Sequence, residues 1–128
     1  MKERKLAVCG VLPVLGHFLS VTRKDNFNKI GFIGGKVDDG ESLEEALTRE
    51  VLEETGLFIE IDKTYDPFVE EDGDDYLVYC FKIKLKNEEH ISINESETGL
   101  IRIASKQKLI DDSPWSEYNK GVFKWFNL

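Results

Sequence analysis

The 23-residue stretch GKVDDGESLEEALTREVLEETGL, Gly35 to Leu57, constrains this chain more than any other segment. Ser42, with Glu45 three residues later, forms a capping box that satisfies two otherwise orphaned amides at a helix start. Gly56 supplies a left-handed stop. The spacing therefore predicts a helix from Leu43 to Thr55. At about 100° per residue from Leu43, Ala46, Leu47 and Val51 fall at about 300°, 40° and 80°, an arc that should face a core. Glu50, Glu53 and Glu54 fall at about 340°, 280° and 20° on the same count, so three carboxylates continue the buried stripe. They do so at the helix end whose dipole disfavours negative charge.

Burying an unpaired carboxylate costs several kcal/mol after relaxation. Protonation relieves that cost, and so does a divalent cation. An all-oxygen set of ligands selects magnesium, manganese or calcium over zinc. Glu50, Glu53 and Glu54 are thus candidate metal ligands. Arg49 stands four residues from both Glu45 and Glu53 and can bridge to either. A plain helix salt bridge and a role in orienting a carboxylate or meeting a phosphate are equally open for it. Glu41, Glu44 and Glu45 lie off the centre of the stripe and read as a capping, solubilising face.

The remaining segments place this helix in an α+β domain spanning residues 1–128. Leu6 to Leu12 and Phe18 to Thr22 are rich in β-formers and read as a hairpin turning near Leu15, Gly16 and His17. GFIGG reads as a short strand, as do Phe58 to Ile61 and PFVEE. EEDGDD, around Gly73, reads as a solvated hairpin tip, because it lacks the spacing of a calcium loop. YLVYCFKIKL, Tyr76 to Leu85, is the strongest strand. NEEH reads as a turn and LIRIA as a further strand. A terminal helix opens at Ser113-Pro114, with Trp115, Tyr118, Val122, Trp125 and Phe126 at helical spacing. That stripe suits core packing and, at some positions, base stacking.

A formal net charge of -8 argues against a broad nucleic-acid footprint, which needs clustered Lys and Arg. An acidic protein acting on an anionic substrate instead needs a metal ion between the two. Two cysteines, Cys9 and Cys80, are too few for a disulfide framework and read as buried thiols. His17 and His90 are isolated, with no zinc spacing. The N-terminal MKERK followed by LAVCGVLPVLG has the flavour of a secretory signal. No apolar region precedes Cys9 and no small-residue cleavage site follows, so a strand–turn–strand is expected, in a cytoplasmic protein. No run approaches the ~18 apolar residues of a membrane span.

The stretch from Gly35 to Leu57 resembles the Nudix box. Gly35, Glu41, Arg49, Glu50, Val51, Glu53, Glu54, Gly56 and Leu57 meet its fixed positions, and the chain length is similar to that of small, MutT-like members. The resemblance implies an α/β/α sandwich with a central mixed sheet. It also implies hydrolysis of a nucleoside diphosphate linked to another group, by water attack at phosphorus with Mg2+ or Mn2+. Glu50, Glu53 and Glu54 would then hold metal, with the Gly35 carbonyl as a further ligand. One glutamate, inside or outside the box, would deprotonate the water. Outside it, Glu97 stands before LIRIAS where many members carry a glutamate, and Glu95 is close enough to substitute. Arg23 resembles an arginine that holds substrate phosphates. The region from Ile103 through Trp115 and Tyr118 should lie near the substrate.

Departures from the family pattern are Ile33 where many members have Pro, and Ile103 where many have Trp. Markers of ADP-ribose or dinucleoside-polyphosphate enzymes would fall near Asp72 or Asp74, and neither residue matches. The elimination points to nucleoside triphosphates, oxidised ones among them. ADP-ribose, dinucleoside polyphosphates and a non-catalytic nucleotide sensor stand as alternatives. The expected partner is a small nucleotide, with no extended nucleic acid and no membrane. Monomer and homodimer are both open.

Overall fold

A computed structural model describes residues 3–86, 95–96 and 99–128. Strand β1 (Lys5–Val11) carries buried side chains on both faces, a pattern that suits a central strand. It runs antiparallel to β4 (Ile30–Lys36) and parallel to β7 (Tyr76–Leu85), with Val8 opposite both Gly35 and Tyr79. The sheet is therefore mixed. The expected hairpin between Leu6–Leu12 and Phe18–Thr22 does not form. Both segments are extended, but β3 (His17–Thr22) pairs with β4 and with β9 (Gly99–Ala104), and only the two-residue β2 (Pro13–Val14) folds back on it. Pro13 has no amide to continue the β1 ladder, and the chain changes neighbours there. Leu15 and Gly16 make the tight turn, with φ of 50° and 82°.

The other strands lie close to expectation. β5 (Ile59–Ile61) and β6 (Phe68–Asp72) both pair antiparallel with β7, and the acidic segment around Gly73 is the β6–β7 turn. A two-residue strand, β8 (Glu95–Ser96), edges β9. The NEEH segment lies outside the described residues.

Helix α1 spans Leu43–Thr55 as the spacing predicts. The Ser42 hydroxyl accepts from the Glu45 amide, and the Glu45 carboxylate accepts from the Ser42 amide. Gly56 ends the helix in the left-handed region, donating to the Leu52 carbonyl. Ala46, Leu47 and Val51 are buried against Val8, Ile33, Ile59 and Ile83 on one face of the sheet. The other face packs on a second core, in which Val11, Phe18, Ile30, Phe32 and Cys80 meet Leu109, Val122, Phe123 and Phe126. The helices of that side are α2 (Lys106–Asp111) and α3 (Ser116–Trp125). Sheet between helical layers is the α/β/α sandwich expected.

Helix α2 is absent from the sequence reading. Its six residues are too few for a periodic signal, and Ser105, which accepts from the Lys108 amide, is its one local mark. α3 begins at Ser116, later than Pro114, with Trp115 as its N-cap. The terminal stripe divides: Val122 and Phe126 are buried, while Trp125 is exposed and donates its indole N–H to the Asp66 carbonyl. Cys9 and Cys80 are free thiols in register across β1 and β7, and burial pushes the Cys80 thiol well up. Among the described residues no helix is long and apolar enough to cross a membrane.

Because Leu47 is fully buried between α1 and the sheet, Leu47→Ala should cost about 2–5 kcal/mol in urea unfolding. Leu52→Ala, on the exposed side of the same helix, should stay within about 0.5 kcal/mol. Similar losses in both would mean that α1 does not pack as described.

Candidate active site

The C-terminal turn of α1 borders a cavity of about 300 Å³. Gly34 and Gly35 of β4, Glu54 of α1 and Val8 of β1 line one part of it. Trp115, Tyr118 and Asn119, from the start of α3, line another. All three layers of the sandwich thus contribute to a single cavity.

The three glutamates of the stripe meet different surroundings. Glu54 is buried and lines the cavity. Glu50 is largely covered and lies flat on the β4 backbone: a Cβ on Gly35 would fall 2.5 Å from its carboxyl carbon. Glycine at 35 is what lets the carboxylate reach the strand. Glu53 departs from the expectation, with 55% of its side chain exposed. It sits on the margin of the arc, beyond the width of α1 that the sheet covers.

Arg49 organises the acidic residues. Its Nε and Nη2 donate to the Glu41 carboxylate at 2.8 and 3.0 Å, and its Nη1 donates to Glu50 at 2.9 Å and to Glu53 at 3.4 Å. Nη2 also reaches the Lys36 carbonyl at 3.2 Å and Asp38 at 3.4 Å. The expected alternative of a Glu45 bridge is not taken, because Glu45 is committed to the capping box. Glu41 is likewise more than a solubilising residue. It accepts from the Asp38 amide as well as from Arg49, and these bonds, Arg49 first, hold its carboxyl below the usual range. The Glu41 hydrogen bond is also the largest influence raising the Arg49 guanidinium above its ordinary value.

Glu50 shifts the other way. Burial pushes its carboxyl up, the Arg49 hydrogen bond and charge oppose that, and the negative charges of Glu53 and Asp38 add to the rise. Among the described residues no three acidic, His or Cys side chains stand together as a ready ion cage. The donor chemistry nonetheless fits a hard divalent cation: the Glu50 carboxylate lies against the Gly35 backbone, Glu54 lines the same cavity as Gly35, and Glu53 stands one turn of helix from Glu50.

Arg23, at the end of β3, lines the cavity but grips Asp25 with two bonds of 2.8 and 2.9 Å. The Trp115 indole lies over the Gly31 backbone, where a Cβ would come within 2.8 Å of its ring. Tyr118 lines the cavity and donates its hydroxyl to the Val78 carbonyl, while its ring packs edge-on against Phe68. Ile103, expected near the substrate, instead borders a separate open groove with Leu12 and Lys82. Glu97 and His90 lie outside the described residues. Sequence reasoning did not single out Asn119, Ser113 or Gly31, nor Asp72 as a cavity residue. For Asp72 the signal was its position, where markers of substrate class were sought.

A raised folded-state pKa means that the protonated Glu50 is favoured by folding. Its contribution is present below the ordinary carboxylate range and is lost as pH rises through the folded value. Ionised Glu50 is then a cost at neutral pH. With a chelator present, Glu50→Gln should melt above wild type at pH 7, and the gap should close toward about pH 4. A lower melting temperature at pH 7 would mean that the Arg49 contact outweighs burial.

The NUDIX domain model matches residues 2–126. The fold is similar to that of a UDP-X diphosphatase, with a TM-score of 0.74 at 15% identity over 99% of this chain and 64% of that one. It is similar to a C. elegans Ap4A hydrolase, with a TM-score of 0.73 at 18% identity over 96% of each chain. A MutT protein from Methanosarcina mazei Go1 gives 0.68 at 20% identity, over 98% of this chain and 95% of that one. The chain thus spans 64% of the length of the first of these structures. At such identities the structural likeness speaks for the fold. The domain match covers nearly the whole chain and takes in the box from Gly35 to Leu57, and by it this chain belongs to the Nudix hydrolase family.

Proposed function

We propose that this Nudix nucleotide pyrophosphohydrolase cleaves a phosphoanhydride bond of nucleoside triphosphates, those with oxidised bases included, with Mg2+ or Mn2+ as cofactor. The observation that carries the reading is one cavity bordered both by Glu54 and Gly35 and by the half-exposed Trp115 indole. An aromatic face suits a base, and a carboxylate-rich end suits metal-bridged phosphates. A bound divalent ion neutralises phosphate charge and lowers the pKa of a coordinated water. Glu50, Glu53 and Glu54 would hold it, with the Gly35 carbonyl and Glu97 as further ligands.

In this reading the base enters against Trp115 with Tyr118 beside it. Arg23 leaves Asp25 to meet a phosphate. Arg49 holds the mutually repelling carboxylates together. Water attacks phosphorus, the anhydride P–O bond breaks, and a glutamate takes the proton. Glu50, whose affinity for a proton is raised by burial, suits that role. Glu97 is the alternative base. Structural neighbours are named a UDP-X diphosphatase, an Ap4A hydrolase and an ADP-ribose pyrophosphatase, so ADP-ribose and dinucleoside polyphosphates belong in the same assay. A non-catalytic sensor draws support from Arg49 holding both Glu50 and Glu53. Turnover separates the two.

Glu50→Gln, Glu53→Gln and Glu54→Gln keep shape but remove a charged metal oxygen. Each should lower kcat at saturating Mg2+ by about a hundredfold or more, which is about 2.7 kcal/mol of transition-state stabilisation. Double variants should lose much less than the product of the single losses. Near wild-type turnover in Glu54→Gln would overturn the mechanism.

Mg2+ or Mn2+ should also raise the melting temperature of the wild type by binding the folded state alone. Glu53→Gln should blunt that rise. Glu44→Gln, exposed in the first turn of α1, should keep it. Equal responses in the two variants would remove Glu53 from the ion site.

A further inference from the structure

Cys9 and Cys80 carry nucleophilic sulfurs that the proposed hydrolysis does not use. They stand directly opposite each other on the parallel pair β1 and β7. Both pack in the second core, so both side chains leave the same face of the sheet. Neighbouring strands lie about 4.8 Å apart, inside the range of about 4.4–6.8 Å that a disulfide spans between Cα atoms.

Their surroundings differ. Cys80 is fully buried, whereas Cys9 is partly exposed and lines the cavity. A small oxidant entering the cavity meets Cys9 first and finds Cys80 behind it. Burial, and after it the Cys9 thiol alongside, push the Cys80 thiol up, so Cys80 stays protonated and inert until Cys9 is activated. An accessible cysteine with a second thiol against it is the arrangement that converts peroxide attack into a reversible disulfide.

Cys9 also holds the cavity wall. Its Sγ donates to the Tyr118 hydroxyl at 4.0 Å, and that hydroxyl donates to the Val78 carbonyl at 3.0 Å. The thiol therefore helps tie the start of α3 to the sheet.

We propose that Cys9 and Cys80 are a peroxide-sensitive dithiol, a modification site in the cavity that closes to a disulfide and withdraws Cys9 from Tyr118. The Cys9 sulfur attacks one oxygen of hydrogen peroxide. The O–O bond breaks, an S–OH group forms, and water leaves with the thiol proton. The Cys80 sulfur then displaces the hydroxyl: the S–S bond forms, the S–O bond breaks, and the Cys80 proton leaves in a second water. Two thiols lose two electrons and the peroxide gains them. Side chains one strand spacing apart stand wider than the roughly 3.8 Å between Cβ atoms of a relaxed disulfide, so the bridge is strained and easily reduced. Disulfide formation is independent of what the cavity binds. Its effect on turnover rests on the cavity being the nucleotide site.

The test treats the full-length, folded protein with graded hydrogen peroxide in the presence of a chelator. Intact mass should fall by two hydrogens, both thiols should disappear, and peptide mapping should join the Cys9 and Cys80 peptides. Dithiothreitol should reverse all three changes. Tryptophan emission should change in step, because Trp115 shares the cavity wall with Tyr118. Cys80→Ala should instead gain one oxygen at Cys9, in a form that dimedone captures. Cys9→Ala should keep its Cys80 thiol over the same peroxide range. With a nucleotide that the wild type turns over, oxidation should raise KM reversibly, and the kinetic constants of Cys9→Ala should not respond to peroxide.

A wild type that keeps both thiols, or that joins Cys9 to Cys9 of a second molecule, sinks the proposal. A disulfide that leaves both tryptophan emission and KM unchanged removes the coupling through Tyr118. Absence of turnover with every nucleotide would remove the nucleotide reading, while mass, thiol count and emission still decide the dithiol.

Discussion

The guanidinium of Arg49 gathers the loop before α1, the end of β4 and the helix itself around one cation. Glu41 and Asp38 come from the loop, the Lys36 carbonyl from the strand, and Glu50 and Glu53 from the helix. No other residue type does this equally well. Five donors in a rigid plane can meet several oxygens at once, whereas a lysine ammonium is a compact charge on a flexible stem. The exposed contacts add little singly. The stronger consequence is geometric: a largely covered carboxylate on Glu50 is held flat against Gly35 instead of swinging out to water.

That constraint works only because the sheet beneath is thin at the right places. Gly35 admits the Glu50 carboxyl and Gly31 admits the Trp115 ring, both on the same strand. One side chain arrives from the helix on one face of the sandwich. The other arrives from the start of the helix on the opposite face. β4 lies between β1 and β3 in the sheet, so the strand that carries both openings is held by ladders on each side. A site built on such a strand is positioned by backbone pairing instead of by a loop.

Much of this was legible in the chain. The capping box, the Gly56 stop and the apolar arc define α1 without reference to anything distant, because they are local interactions within a few residues. Strand pairing is not local. β1 and β3 were visible as extended segments, yet which neighbours they take depends on Pro13 and on the burial of both faces of β1, and the near-in-sequence hairpin was the wrong choice. Glu53 was placed inward by an ideal 3.6-residue repeat, but how wide a stripe is covered depends on the sheet. Asn119 escaped notice for a similar reason. A polar residue in an amphipathic helix reads as solvent-facing until its partners, Leu109 and Ser113, are known to surround it.

Four carboxylates, from Asp38, Glu41, Glu50 and Glu53, approach the Arg49 guanidinium. Glu54 is buried nearby, and the last turn of α1 has no basic residue to offset the negative end of its dipole. Arg49 therefore orders these groups without neutralising them. A polyphosphate brought to this end of the cavity would be repelled by the protein alone, and the Arg23 cation at the rim is already paired with Asp25. The surplus negative charge is what a divalent ion needs in order to bind. A divalent ion held there, as proposed, would turn a repulsive surface into one that accepts phosphates. On this argument Arg49 and a divalent ion are not alternatives competing for the glutamates: the arginine sets their geometry, and the charge it leaves uncompensated sets their affinity.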